Sequence, residues 1–202
     1  MAKIICVANR KGGVGKTTLA TNLAVALKKK KKSILIDADE QQSAFKWANQ
    51  RDDIECITIH SDLLEKLEQL DKEYEYILID VAGRDSTIFR EALLVSDTLI
   101  VPTQPSLLDL QVLDYMQEKV KTAKQTNENL KAYVLINRAA VRTTELKDAI
   151  EFIAEFDQFK LLKTVLFERK QFRDAIVESK SVTEMNASKA RDELNQLIIE
   201  LL

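Results

Sequence analysis

Three of the four glycines in this 202-residue chain lie in one short segment, "NRKGGVGKTT", at residues 9–18. An apolar run, Lys3–Ala8, precedes the segment, and a helical pattern, Lys16–Lys30, follows it. Glycines let backbone N–H groups turn toward a bound anion, and a helix N-terminus adds partial positive charge. This order of strand, loop and helix predicts a phosphate-binding loop, with Lys16 on the phosphates and the Thr17 hydroxyl on Mg²⁺.

Short β-rich runs alternate with longer helical patterns along the chain. The predicted strands are Lys3–Ala8, Ser33–Asp37, Glu55–His60, Tyr76–Asp80, Thr98–Val101, Ala132–Asn137 and Leu161–Leu166. The predicted helices are Lys16–Lys30, Gln41–Asp52, Ser61–Lys72, Ser86–Val95, Ser106–Asn127, Thr144–Phe156, Arg169–Glu178 and Ser188–Leu201. Near-continuous apolar runs such as "SILID" and "YILID" are typical of strands buried on both faces. We therefore predict an α/β fold with one doubly wound, mainly parallel sheet flanked by helices, in a single domain over residues 1–202.

Composition narrows the classes of protein to which this chain could belong. It is 46% hydrophobic and 31% charged, with a formal net charge of −2, which suits a compact domain with a sizeable core. Apolar runs stay below the roughly 18 residues that a membrane-spanning helix requires, and the N-terminus lacks a signal-peptide layout. Cys6 and Cys56 lie in apolar stretches, so we expect reduced thiols rather than a disulfide or a metal site, and a cytoplasmic location.

Five quoted segments resemble motifs of one known family. "KGGVGKTT", with a lysine directly before the glycine pair, resembles the deviant Walker A motif of the ParA/MinD ATPases, and Arg10, where the ordinary pattern has glycine, favours the ParA side. "ILIDADEQQSAFKWA" resembles the second motif of the family, and "YEYILIDVAGR" resembles its Walker B strand. "IVPTQPSLLDL" and "LFERKQFRDAIVESKSVTE" resemble segments of the short plasmid-partition ATPases called ParF. The resemblance implies a P-loop NTPase fold of the deviant Walker A type over nearly the whole chain.

This resemblance implies a magnesium-dependent ATP hydrolase that works as an ATP-dependent homodimer. In the family the extra lysine, here Lys11, crosses to the nucleotide of the other subunit. Asp39 would orient the attacking water, Asp37 would support the magnesium shell, and Asp80 would hold Mg²⁺ through water. The implied catalytic residues are Lys11, Lys16 and Asp39, and the implied metal residues are Thr17, Asp37 and Asp80. The implied nucleotide-binding residues are Lys11, Gly12, Gly13, Val14, Gly15, Lys16, Thr17, Thr18, Pro102 and Asn137.

For some positions the resemblance does not fix a single role. Pro102 follows a predicted strand, in the region where the family contacts base and ribose. Asn137 ends another strand, where it would either bond the adenine edge or serve as a turn residue. Glu40 stands where the family usually has proline, so the stiffness of this loop and its effect on nucleotide binding are open. Arg84, which follows the Asp80 strand, is a weaker candidate for a phosphate contact.

Charge is unevenly distributed toward the C-terminus. Residues 160–191 carry eight Lys or Arg against four Asp or Glu, although the whole chain is slightly acidic. ParA relatives bind DNA non-specifically through this region, so Arg169, Lys170 and Arg173 are the candidate DNA contacts, with a solvated helix face as the alternative. The final helix, "SKARDELNQLIIELL", has an apolar stripe with few cations, which favours packing in the core over membrane binding.

Two functions follow from these predictions. The first is a nucleoid-associated ATPase for DNA partition or segregation, which binds DNA as the ATP dimer and is stimulated by a ParB-like or small centromere-binding partner. The second is a MinD-like or cargo-positioning adaptor that uses the same ATP switch with little affinity for DNA. An electron donor with an interfacial metal cluster is disfavoured, because neither cysteine lies in a later loop that could bind one.

Overall fold

The computed structural model describes residues 1–141 and 143–202, and within these ranges it contains seven strands and nine α-helices. The strands are β1 (Lys3–Val7), β2 (Ser33–Ala38), β3 (Cys56–Thr58), β4 (Tyr76–Val81), β5 (Thr98–Thr103), β6 (Lys131–Ile136) and β7 (Lys160–Leu161). The helices are α1 (Lys16–Lys28), α2 (Ser43–Ala48), α3 (Leu63–Leu70), α4 (Thr87–Val95), α5 (Leu107–Leu110), α6 (Val112–Lys124), α7 (Glu145–Ile153), α8 (Lys170–Val177) and α9 (Lys189–Leu201), with a 3₁₀ helix at Val182–Glu184. Every predicted strand and helix has a counterpart, with shifted ends.

The seven strands form one sheet in the order β3-β2-β4-β1-β5-β6-β7, and all six pairings are parallel. Strand β1 lies in the middle of the sheet, between β4 and β5. The predicted doubly wound parallel sheet is therefore confirmed. Because the strands are parallel, the carboxyl ends of β1, β2 and β4 meet at one edge, where such folds bind ligands.

Apolar side chains on the two faces of the sheet form two separate cores. On β1, Cys6 packs into one core while Ile5 and Val7 pack into the other, as the two-residue period of a strand requires. Helix α1 covers the second face with Leu23 and its neighbours, and α9 packs there through its predicted apolar stripe, including Leu194. The prediction that the last helix packs in the core is confirmed, and no helix in the described ranges combines the length and apolarity needed to cross a bilayer.

Several predicted boundaries are wrong, including the following three. The predicted helix Ser106–Asn127 is divided at Gln111 into α5 and α6, and β5 continues past its predicted end, through Pro102 to Thr103. A proline is tolerated there because β1 pairs with β5 only as far as Ile100, so no donor is required on that side.

The third difference concerns β7, which has only two residues of the predicted strand Leu161–Leu166. The N–H groups of Lys163 and Thr164 donate to the Glu200 carboxylate of α9, at 2.7 and 3.0 Å, instead of to a neighbouring strand. A side chain from a distant helix thus ends the ladder, which the local sequence pattern could not reveal.

The C-terminal segment is joined to the rest of the fold by Arg51, whose side chain is only 9% exposed. Its guanidinium lies 2.8 Å from Asp53 and 2.8 Å from Glu184, which belongs to the 3₁₀ helix. It also donates to the Ser179 carbonyl at 2.7 Å and stacks over the Trp47 ring. One largely buried cation therefore ties the loop after α2 to the segment that follows α8.

Arg51→Met should reduce the free energy of unfolding by about 2–4 kcal/mol, because two carboxylates and a carbonyl lose their partner. Urea denaturation of the nucleotide-free protein measures this loss. The control is Lys147→Met, which removes an exposed i,i+4 pair with Glu151 and should change stability by less than about 0.5 kcal/mol. Equal effects of the two substitutions would contradict the structural role of Arg51.

Candidate functional site

The glycine-rich loop between β1 and α1 has the backbone of an anion cradle. Gly13 and Gly15 have φ angles of 77° and 88°, in the left-handed region that favours glycine. A Cβ atom on Gly15 would lie 2.5 Å from Asn137 Nδ2, so this position has no room for a side chain. Helix α1 starts at Lys16 without a side-chain cap, which leaves its first N–H groups free to bind an anion.

A cavity of about 650 Å³ opens beside this loop. Its first side is lined by six of the residues proposed above to bind nucleotide, namely Gly12, Gly13, Gly15, Lys16, Thr17 and Thr18. Asp39, Gly83 and Asn137 also line it, and its far side is formed by residues 166–169 and by α8. Val14 is buried beneath the loop and does not line the cavity.

Lys16 places a largely buried ammonium at the phosphate end of the cavity. Its Nζ donates to the Lys11 carbonyl at 3.0 Å, within the loop itself. Burial lowers the pKa of Lys16, and the nearby negative charges of Asp80 and Asp39 act in the opposite direction. A triphosphate would supply the anionic partners that this ammonium lacks.

Asp80 is fully buried, and no hydrogen bond of good geometry reaches either of its carboxylate oxygens from the described residues, although the Thr17 hydroxyl lies close enough to affect its pKa. Burial raises the pKa of Asp80 to about 7, while the nearby Thr17 hydroxyl and the positive charge of Lys16 lower it. Two buried oxygens without partners fit a cation that retains its waters, as magnesium does. The described residues contain no group of three His, Cys, Asp or Glu side chains placed to hold a metal, so magnesium would need ligands from Thr17 and the phosphates.

Asp37 has a different environment from Asp80, although the two are direct partners in the β2–β4 pairing. Its oxygens accept from the backbone N–H groups of Asp39 and Phe45, at 3.0 and 2.9 Å. Asp37 therefore shapes the loop that carries Asp39 into the cavity wall, and its predicted contact with the magnesium shell stays a prediction. Asp39 accepts the N–H of Gln41 at 3.0 Å, which leaves oxygen lone pairs available for a water.

Lys11 lies at the mouth of the loop, and its side chain is not part of the cavity wall. Its Nζ lies 3.8 Å from Asp109 Oδ1, and the side chain is 41% exposed. The backbone N–H of Lys11 donates to Asn9 Oδ1 at 2.9 Å, which holds this part of the loop against the end of β1. The ammonium thus points away from the phosphate site of its own chain.

The two predicted base contacts have other partners in the structure. Asn137 Nδ2 donates to the Val14 carbonyl at 2.7 Å, so this amide braces the glycine-rich loop from the end of β6. Pro102 lies inside β5 and outside the cavity wall, and its carbonyl accepts from Asn9 Nδ2 at 2.8 Å. Both residues support the loop, and their predicted contacts with base and ribose stay predictions.

The sequence analysis missed Arg138 and Glu168, which both line the cavity. Arg138 has a φ of 55°, and its guanidinium donates to the Gly13 carbonyl at 2.6 Å and to Glu168 at 2.7 Å. The available signal was the position of Arg138 directly after the candidate Asn137, at a strand end.

The candidate DNA contacts Arg169, Lys170 and Arg173 are each paired with an acid in the structure. Arg169 lies 2.6 Å from Glu193 and its side chain is only 21% exposed, Arg173 pairs with Glu168, and Lys170 lies 3.6 Å from Asp174. Arg169 and Arg173 also line the cavity. The predicted basic surface is therefore locally neutralised, and only Lys170 and Arg173 expose most of their side chains.

The fold and the loop geometry define a nucleotide-binding protein of one family. The chain belongs to the CobQ/CobB/MinD/ParA nucleotide-binding family, whose domain matches residues 5–182. This match confirms the predicted membership of the ParA/MinD group.

Among individual proteins, the chain is 30% identical to the maintenance of carboxysome distribution protein A of Halothiobacillus neapolitanus, over 98% of this chain and 95% of that protein. Among solved structures, it superposes on apo McdA of Cyanothece with a TM-score of 0.84 and 17% identity, covering the whole of both chains. It superposes on a plasmid partition protein of Borrelia burgdorferi bound to AMPPNP with a TM-score of 0.78 and 24% identity, over 98% of each chain. At these identities the two superpositions show the fold alone.

Asp80→Asn should stabilise the nucleotide-free protein. The carboxyl has a folded-state pKa of about 7 against an unfolded value near 4, so its ionisation opposes folding as pH rises. We expect the variant to gain about 1–3 kcal/mol above pH 7, with a gain that grows from about pH 4 to pH 7 and then levels off.

Urea denaturation across this pH range measures the gain. The exposed Asp114→Asn on α6 is the control and should show no such dependence. A constant difference between Asp80→Asn and the parent protein at every pH would show that the Asp80 charge is already compensated.

Proposed function

We propose that this protein is a magnesium-dependent ATP hydrolase whose ATP-bound form is a face-to-face homodimer. The observation that carries the proposal is the position of Lys11. Its ammonium lies at the loop mouth, outside the cavity of its own chain and 3.8 Å from Asp109. A second subunit facing this mouth would bring its nucleotide to Lys11, and in a water-poor interface such a cation–phosphate contact is strong.

The cavity residues support a division of chemical roles. Lys16 would bind the β- and γ-phosphates, while Thr17 and the two unpartnered oxygens of Asp80 would hold magnesium. Asp39 would orient the attacking water from the loop that Asp37 fixes. Hydrolysis would remove the γ-phosphate that joins the two subunits, so the dimer would separate.

We further propose that the ATP switch positions a large cargo with the help of a second protein. Full-length similarity to a carboxysome distribution protein favours the cargo-positioning version over a membrane or electron-transfer role. Membership of the ParA/MinD family supports a second candidate, DNA partition with a ParB-like or small centromere-binding partner on the nucleoid. In both versions the cargo is held while ATP keeps the dimer together and is released when hydrolysis separates it.

Lys11→Ala should leave binding of one nucleotide per chain largely intact and weaken the ATP-dependent dimer by about 30-fold or more, because a desolvated ion contact is lost. Analytical ultracentrifugation with AMPPNP and magnesium measures the dimer, and titration with a fluorescent nucleotide measures binding. Lys147→Ala, a lysine on α7 with a largely exposed side chain, is the control and should dimerise normally. Undiminished dimerisation of Lys11→Ala would refute the role assigned to this lysine.

The DNA-partition candidate predicts DNA binding that requires ATP and weakens steeply with salt, since phosphate contacts release counterions. Affinity for a random duplex should therefore be measured without nucleotide, with ADP and with AMPPNP across a salt series. If Lys170 and Arg173 contact phosphates, replacing both with alanine reduces the slope of log K against log salt by about 2 per chain.

The matched control replaces two exposed lysines elsewhere, Lys66 and Lys147, with alanine. Absence of binding at low salt in every nucleotide state would remove the DNA-partition candidate and leave the adaptor. ATP-dependent binding that neither pair of substitutions alters would place the DNA interface elsewhere on the dimer.

A further inference from the structure

Two loops enclose the phosphate end of the cavity, and one ion pair joins them. The loop after β2 carries Asp39 and Glu40, and the loop after β4 carries Gly83 and Arg84. The Arg84 guanidinium contacts the Glu40 carboxylate across the gap between the loops. Both side chains remain mostly exposed, 58% for Arg84 and 64% for Glu40, so each is free to take another partner.

Both members of this pair are next to residues that line the cavity. Asp39, directly before Glu40, forms part of the wall. Gly83, directly before Arg84, lies so near Lys16 that a Cβ atom on it would be 3.1 Å from the lysine Nζ. The Cα atom of Arg84 is about 3.8 Å from that of Gly83, as for any two consecutive residues. Arg84 is therefore the residue next to the one that approaches the Lys16 ammonium, which would bind the last phosphate.

We propose that Arg84 exchanges Glu40 for the γ-phosphate of a bound triphosphate, and that this competition sets the preference of the site for ATP over ADP. The inference rests on the proposed ATP-binding function and names a residue that discriminates between the two nucleotides. A diphosphate has no γ-phosphate, so Arg84 stays with Glu40 when ADP is bound.

The relative strengths of the two contacts favour this exchange. Exposed carboxylate–guanidinium pairs are weak, because water and salt screen them. A terminal phosphate carries more negative charge than a carboxylate and offers three oxygens to the planar donor fork of arginine. The exchange also releases Glu40, and with it the loop that presents Asp39, at the time when the γ-phosphate arrives.

Two substitutions that should change the ratio of ATP affinity to ADP affinity in opposite directions test the proposal. Glu40→Gln removes the competing carboxylate, so the ratio of ATP affinity to ADP affinity should rise about two- to fivefold. Arg84→Gln removes the phosphate ligand, so the same ratio should fall about three- to tenfold. The double variant should behave like Arg84→Gln, because Glu40 acts only through the arginine.

Competition titrations against a fluorescent ADP, with AMPPNP or ADP as competitor and magnesium present, measure both affinities. Protein concentrations are kept below the dimer dissociation constant. The control is Arg90→Gln on α4, whose guanidinium is 2.8 Å from Asp85 and whose side chain is equally exposed, and it should leave the ratio unchanged.

The possible outcomes separate this inference from the proposed function. If Glu40→Gln and Arg84→Gln shift the ratio in the same direction, or leave it unchanged, the pair is only a link between loops and the inference is wrong. If the parent protein binds neither nucleotide, the proposed function itself fails. Opposite shifts of the predicted size, with Arg90→Gln neutral, support the assignment of Arg84.

Discussion

Buried charge at the carboxyl edge of the sheet is the constraint on which the site depends. Lys16, Asp37 and Asp80 are all buried there, and their hydrogen-bonding surroundings differ. Asp37 accepts two backbone N–H groups, Lys16 donates to one backbone carbonyl, and Asp80 has no hydrogen-bond partner among the described residues. A buried carboxylate without a partner opposes folding, so this arrangement is physically reasonable when a cation and an anionic ligand complete it.

The glycine-rich loop keeps its shape because distant elements hold its carbonyl groups. Asn137 donates to Val14, and Arg138 donates to Gly13, so the end of β6 sets the back of the cradle. Arg138 also pairs with Glu168, and Glu168 pairs with Arg173 on α8, which forms part of the far wall of the cavity. The nucleotide site and the C-terminal segment are therefore parts of one hydrogen-bonded structure.

A strong local signal made the fold and the phosphate end of the site predictable from the sequence. The strand–glycine loop–helix order and the apolar runs before Asp37 and Asp80 gave the parallel sheet and placed both carboxylates at one edge. The far wall of the cavity was not predictable, because it consists of residues 166–169 and α8, which are distant in sequence from the loop. The sequence analysis treated Arg169, Lys170 and Arg173 in that region as a basic surface. The number of charges along the chain could not reveal that each of the three pairs with an acidic side chain.

The sequence by itself determined the class of fold and the position of the glycine-rich loop between the first strand and the first helix, because these depend on short-range patterns and strand direction. Tertiary structure decided how each charge is satisfied: Asp37 by backbone N–H groups, Lys11 by Asp109, and Glu40 by Arg84. It also decided where β7 ends, through the Glu200 carboxylate. The physical reason is that hydrogen bonds and ion pairs depend on distances between side chains far apart in the chain, and no local periodicity encodes those distances.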